Sequence, residues 1–85
     1  MTYRIEIKPS AQKELAKIPK TSALKIIDKI KSLAKDPRPS GCKKLTGTDH
    51  SFRVRIGNNR VVYSIFDDRL IIQVIKIGHR KDVYK

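Results

Sequence analysis

The stretch Ser51-Phe52-Arg53-Val54-Arg55-Ile56-Gly57-Asn58-Asn59-Arg60-Val61-Val62-Tyr63-Ser64-Ile65-Phe66 decides the fold. Apolar residues alternate on both sides of Gly57-Asn58-Asn59, which is the pattern of two half-buried strands joined by a tight turn. With Asn58 and Asn59 as the central pair, Gly57 pairs with Arg60, Ile56 with Val61, Arg55 with Val62, Val54 with Tyr63 and Arg53 with Ser64. Phe52, Val54, Ile56, Val61, Tyr63 and Ile65 then share one face, suited to packing on helices. Arg53, Arg55 and Arg60 share the other with Val62 and Ser64. Residues two apart on a strand lie about 7 Å apart and cross-strand neighbours about 5 Å, so these guanidinium groups reach successive phosphates of one nucleic-acid strand. The wet face of an ordinary half-buried sheet has the same alternation. Residue choice favours phosphate: of 13 Lys, eight precede Pro37, whereas five of the seven Arg follow His50, so the sheet carries the planar bidentate cation.

Outward from this hairpin, Leu70 to Ile77 reads as a third strand reached through the turn Asp67-Asp68, completing a three-stranded antiparallel meander. Its register puts Leu70, Ile72 and Val74 toward the helices and Ile71, Gln73, Ile75 and Ile77 toward the arginines. Both faces of this strand are therefore apolar, as in a central strand covered by the chain's own tail or one covered by a partner. On the N-terminal side, Tyr3, Ile5 and Ile7 alternate with Arg4, Glu6 and Lys8 as a first strand ended by Pro9. Ser10 caps a helix with Ala11, Leu15 and Ile18 on one stripe, stopping near Pro19. A second helix starts at Thr21 or Ser22 and runs through Leu24, Ile27, Ile30, Lys31 and Ala34 to about Lys35. Pro37 to His50 reads as a basic loop. The expected architecture is α+β: a strand, a two-helix hairpin and the meander, with both helices on one face of a single sheet.

The 85 residues suit one domain, 1–85, with a thin core. One cysteine excludes an internal disulfide and a Cys-rich zinc site, and Cys42, like His50, has no convincing partner. The start lacks the apolar run of a secretion signal, and the longest apolar runs fall far short of a membrane span, so a cytoplasmic protein is expected. The net charge, 20 − 8 = +12, attracts polyanions, nucleic acid foremost.

Lys44-Leu45-Thr46-Gly47 before the hairpin, Phe52-Arg53-Val54-Arg55-Ile56 with Arg60-Val61-Val62-Tyr63, and the ending Gly78-His79-Arg80-Lys81-Asp82-Val83-Tyr84 resemble the RelE branch of the RelE/ParE toxins of prokaryotic toxin–antitoxin pairs. The likeness covers nearly the whole chain. It implies a ribosome-dependent endoribonuclease that cleaves messenger in the decoding site by attack of a ribose 2′-OH on the adjacent phosphate, with no metal or cofactor. By resemblance the catalytic positions are Arg53, Arg55, Arg60, Arg80 and Tyr84. Arg80 would stabilise the phosphorane or the leaving oxygen, and Tyr84 would stack on a base. Lys43, Lys44, His79 and Lys81 would contact RNA or ribosome, and Ile71, Ile75 and Ile77 an acidic antitoxin, operator DNA being met only through the antitoxin complex. RelE itself has lysines where this chain has Arg53 and Arg55, and one of them is cast as the base. A guanidinium is a phosphate clamp and a poor proton acceptor, so the base here is unassigned. His79 is one position from Arg80 and suits an exposed turn better than a catalytic role.

Two other readings compete. One is the ParE-like branch, which acts on DNA gyrase without a nuclease site; Arg60, Arg80 and Tyr84 together argue against it. The other is a non-catalytic nucleic-acid-binding module, for which the charge alone suffices.

Overall fold

The structure, a computed structural model, describes residues 2–79. The elements are β1 (Arg4–Ile7), α1 (Pro9–Ala16), α2 (Lys20–Leu33), β2 (Lys43–Lys44), β3 (Ser51–Ile56), β4 (Asn59–Phe66) and β5 (Ile71–His79). They form an α+β fold: one five-stranded sheet in the order β1-β5-β4-β3-β2, with the helices on one face. β1 runs parallel to β5, and the other neighbours are antiparallel. The core between sheet and helices is Ala11, Ile26, Ile30 and Leu33 against Val54, Val61, Tyr63, Ile65, Ile72, Val74 and Ile77.

Pro9 opens α1 instead of merely ending the strand, because proline's fixed φ and missing N–H suit the first helical turn. Ser10 consequently lies inside the helix, and Lys8 occupies the capping position without a side-chain bond. α2 starts at Lys20, after Pro19, and buries Ile26, Ile30 and Leu33. Leu24, expected in the stripe, is 52% exposed. Apolar residues at 24, 26, 27, 30 and 33 permit two overlapping stripes, and the sheet selects the one that places Ile26 and Leu33 inward.

The hairpin register differs from the expected one. Ile56 pairs with Asn59, Arg55 with Arg60, Val54 with Val61, Arg53 with Val62, Phe52 with Tyr63 and Ser51 with Ser64. The turn centres on Gly57-Asn58, because Gly57 sits at φ +60 and a two-residue hairpin turn demands that conformation at its first central position. The displacement amounts to two residues in the pairing sum, so each side chain keeps its expected face.

A bulge in β5 has the opposite effect. Val62 pairs with Lys76 and Tyr63 with Val74, leaving Ile75 as the extra residue. One added residue inverts the alternation beyond it. Ile77, expected beside the arginines, pairs with Val61 and is fully buried in the core, while Lys76 takes its place on the helix-free face.

The segment read as a basic loop supplies a short edge strand, with Lys43 opposite Arg53 and Lys44 opposite Phe52. Paired lysines carry no hydrophobic pattern, although charge on a short edge is how sheets avoid pairing with strangers. Its approach is tied down at three points. The Tyr63 hydroxyl donates to the Pro37 carbonyl at 2.7 Å, the Arg38 guanidinium donates to Asp67 at 2.9 Å, and Arg38 lies over the Phe52 ring at 5.4 Å. Asp67 also accepts from the Tyr3 hydroxyl, joining the loop to the start of β1.

Candidate nucleic-acid interface

The helix-free face of the sheet carries the charge. Lys43, Arg53, Val62 and Lys76 stand in one row across β2, β3, β4 and β5, and Arg55, Arg60 and Gly78 form the next row toward the β3–β4 turn. Gly41, Lys43, Arg53, Arg55 and Arg60 line a cleft of about 170 Å³. Gly78 is the β5 residue paired with Arg60. Backbone carbonyls orient two of the arginines. Arg55 Nε donates to the Gly57 carbonyl at 3.1 Å, and an Arg60 terminal nitrogen donates to the Asn59 carbonyl at 3.3 Å. The corrected register makes Arg55 and Arg60 direct cross-strand neighbours, a like-charge opposition that disfavours the empty hairpin and favours an anion between them.

No carboxylate or imidazole lines this cleft among the described residues. What it offers is a planar array of N–H donors with an ammonium at its rim, suited to holding a phosphodiester and offsetting charge that accumulates on it. Among the described residues no group of three or more His, Cys, Asp or Glu side chains converges as a metal-binding set.

Of the sequence-derived candidates, Lys43, Arg53, Arg55 and Arg60 come together. Lys44 alternates to the helix side, beside Phe52. His79 pairs with Asn59 and lines a separate cleft of about 480 Å³ with Glu14, Lys17 and Ile18, on the helix side of the sheet and away from the arginines. Ile71 lies on the helix-free face opposite Phe66, Ile75 is the bulged residue, and Ile77 is core. Arg80, Lys81 and Tyr84 lie outside the described residues.

Three features of the face escaped the sequence reading. Lys76 joins the basic row only through the bulge. Ser51 and Ser64 are buried side by side, their hydroxyls 2.9 Å apart, in the row below Arg53. At the far end Phe66 carries the Arg69 guanidinium at 5.0 Å, with the His50 ring tilted against it at 5.1 Å. Period-two alternation places Phe66 on the arginine side, so its position was legible in the sequence, whereas the approach of His50 from a loop was not.

Elsewhere, Asp67 and Tyr63 are displaced from their ordinary values. Hydrogen bonds from Arg38 and Tyr3 hold the Asp67 carboxyl below the usual carboxylate range. Burial, foremost, pushes the Tyr63 phenol well up, so it remains a donor to Pro37 at all ordinary pH. Neither is part of the cleft.

A sheet with helices on one side and a guanidinium cluster on the other defines a class of small, basic α+β proteins. Residues 5–84 match the family model described as the ParE toxin of the type II toxin–antitoxin system parDE. A relative from Methanocaldococcus jannaschii bearing the name toxin RelE1 is 37% identical over 89 aligned positions, covering 100% of this chain and 98% of its own. A solved mutant of the Escherichia coli toxin RelE in the free state superposes with TM-score 0.84 at 25% identity, over 99% of this chain and 92% of that one. The archaeal RelE–RelB complex from Pyrococcus horikoshii gives TM-score 0.84 at 30% identity, over 94% and 97%. The chain belongs to the RelE/ParE toxin superfamily of type II toxin–antitoxin systems, on its RelE-like branch.

Proposed function

We propose that this toxin is a ribosome-dependent endoribonuclease that arrests translation by cutting messenger in the decoding site. The observation that carries the reading is the cleft in which Lys43, Arg53, Arg55 and Arg60 converge, with Arg55 directly opposite Arg60. The scissile phosphodiester sits between these two guanidiniums. The ribose 2′-oxygen attacks the adjacent phosphorus and gives its proton to water, the bond from phosphorus to the 5′-oxygen breaks, and that oxygen takes a proton from water, giving a 2′,3′-cyclic phosphate and a 5′-hydroxyl. Arginines hold their protons, so the cleft contributes alignment and charge stabilisation on the phosphorane. A site of this composition relies on the ribosome to present the messenger in line. Arg80 and Tyr84 complete the set on the resemblance, as charge stabiliser and base-stacking residue.

The partner that silences it is a cognate acidic antitoxin, the chemistry that a +12 chain favours. Ile71 and Ile75 are the apolar positions it covers beside the cleft, and Ile77 has no surface to offer. Operator DNA is met only through that complex, and the site of action is the cytoplasm.

Mapping messenger 5′ ends by primer extension after induction tests the reading: new ends at in-frame positions within translated regions are expected. Intact messengers with gyrase-linked DNA damage would transfer the chain to the ParE-like activity. Translation arrest with neither would leave a non-catalytic binder.

A further inference from the structure

Phe66 closes the β4 strand on the same face as Arg60, Val62 and Ser64. It belongs neither to the buried core nor to the apolar residues packed against that core. Its ring is nevertheless dressed: the Arg69 guanidinium lies over it at 5.0 Å, and the His50 ring leans on it at 5.1 Å with 47° between the planes. Both dressing residues are exposed. The turn that returns Arg69 is tight, with its amide donating to the Phe66 carbonyl at 3.2 Å, and it is completed by Leu70 at φ +52, a conformation uncommon for a residue with a side chain. The turn thus returns a cation over an aromatic ring that the core does not use.

Six residue steps of extended strand separate Phe66 from Arg60, about 20 Å, which a single-stranded RNA drawn across the sheet covers in a few nucleotides. The ground between is smooth, formed by the partly buried Val62 and the buried Ser51–Ser64 pair. Aromatic rings and guanidinium planes are the surfaces on which unpaired bases stack, largely without regard to sequence.

We infer that Phe66, Arg69 and His50 form a stacking platform for a messenger base a few nucleotides from the phosphate held in the arginine cleft. The platform rests on the RNA reading of that cleft. It fixes the direction in which the strand crosses the sheet, and it supplies binding energy at a distance from the bond that breaks, which serves alignment.

The test uses end-labelled single-stranded oligoribonucleotides of increasing length, titrated with the full chain at low salt. Affinity should step up about tenfold at the length that spans cleft and platform. Phe66→Leu, which keeps apolar bulk but removes the π face, should abolish that step and spare the shorter oligomers; exposed His50→Ala should reduce it without touching the fold. Arg55→Ala should weaken every length alike. A smooth rise with length, or a step that survives in both platform variants, overturns the platform and leaves the cleft reading standing. No binding of any length by the unaltered chain overturns the cleft reading and the platform with it. On programmed ribosomes, Phe66→Leu should slow single-turnover cleavage of an intact messenger more than of one made abasic at the stacked position. Equal slowing on both would give the ring to a ribosomal base and overturn the messenger assignment.

Discussion

Arg55 and Arg60 stand directly opposite each other across the β3–β4 hairpin, like charges at neighbouring positions of one face. Such a pair weakens a ladder by a few tenths of a kcal/mol up to about 1 kcal/mol, a cost that an anion held between the two side chains would offset. Arg55→Ala should therefore leave the unfolding temperature unchanged or slightly higher while lowering single-turnover cleavage on programmed ribosomes by roughly 10² to 10³, the scale of losing one preorganised donor. A variant that cuts normally, or fails only because it unfolds, would remove Arg55 from the chemistry.

The two lysines of β2 should behave differently. Lys43 faces Arg53 within the cleft, whereas Lys44 faces Phe52 on the other side. Lys43→Ala should weaken RNA binding across sequences and reduce the slope of log affinity against log salt by about 1, and Lys44→Ala should change that slope far less. Anisotropy titrations at several salt concentrations separate the two.

The bulge at Ile75 predicts a contrast within two residues of one strand. Ile77 is fully buried against the helices, so Ile77→Ala should lose about 2–5 kcal/mol in denaturant unfolding. Ile75→Ala should lose less than about 1.5 kcal/mol, its side chain being outside the core cluster. Equal losses would mean that the strand runs without the inserted residue.

Gly57 at φ +60 sets the hairpin register, and a side chain there meets open space, so only the backbone conformation is penalised. Gly57→Ala should destabilise by about 1–2 kcal/mol without altering the core, measured by chemical denaturation.

Asp67 ties the loop to β1 through Arg38 and Tyr3. Its folded value lies below the unfolded one, so the stabilisation it brings is present above about pH 4 and is lost as the pH falls through the folded value. Both partners of the ion pair are about half exposed, which makes the effect small and sensitive to salt. Asp67→Asn should be less stable than the parent near neutrality, with the gap closing on acidification; thermal unfolding across that range checks it.

Much of this architecture was legible because alternation is a strong signal. β3 begins and ends where Ser51 and Ile56 were expected, and the arginine face survived a wrong choice of turn residues because pairing moved by an even count. The bulge moved it by one, exchanging Lys76 for Ile77, and nothing in Val74-Ile75-Lys76-Ile77 announces where a strand gains an unpaired residue. β2 was hidden for a different reason. Its two residues are held by backbone bonds to β3, which lysine side chains do not advertise. His79 was expected among the RNA or ribosome contacts on the resemblance alone, and strand alternation turns it to the other side of the sheet.

The parallel pairing of β1 with β5 has a consequence for the order of synthesis. Arg4 lies beside Ile71 and Ile7 beside Val74, so the first strand made has no place in the sheet until the last one has left the ribosome. The β3–β4 hairpin, by contrast, closes over a few residues and can form while the rest is still being threaded out. A nascent chain therefore has Arg55 set opposite Arg60 on a closed hairpin before it has a complete sheet around them.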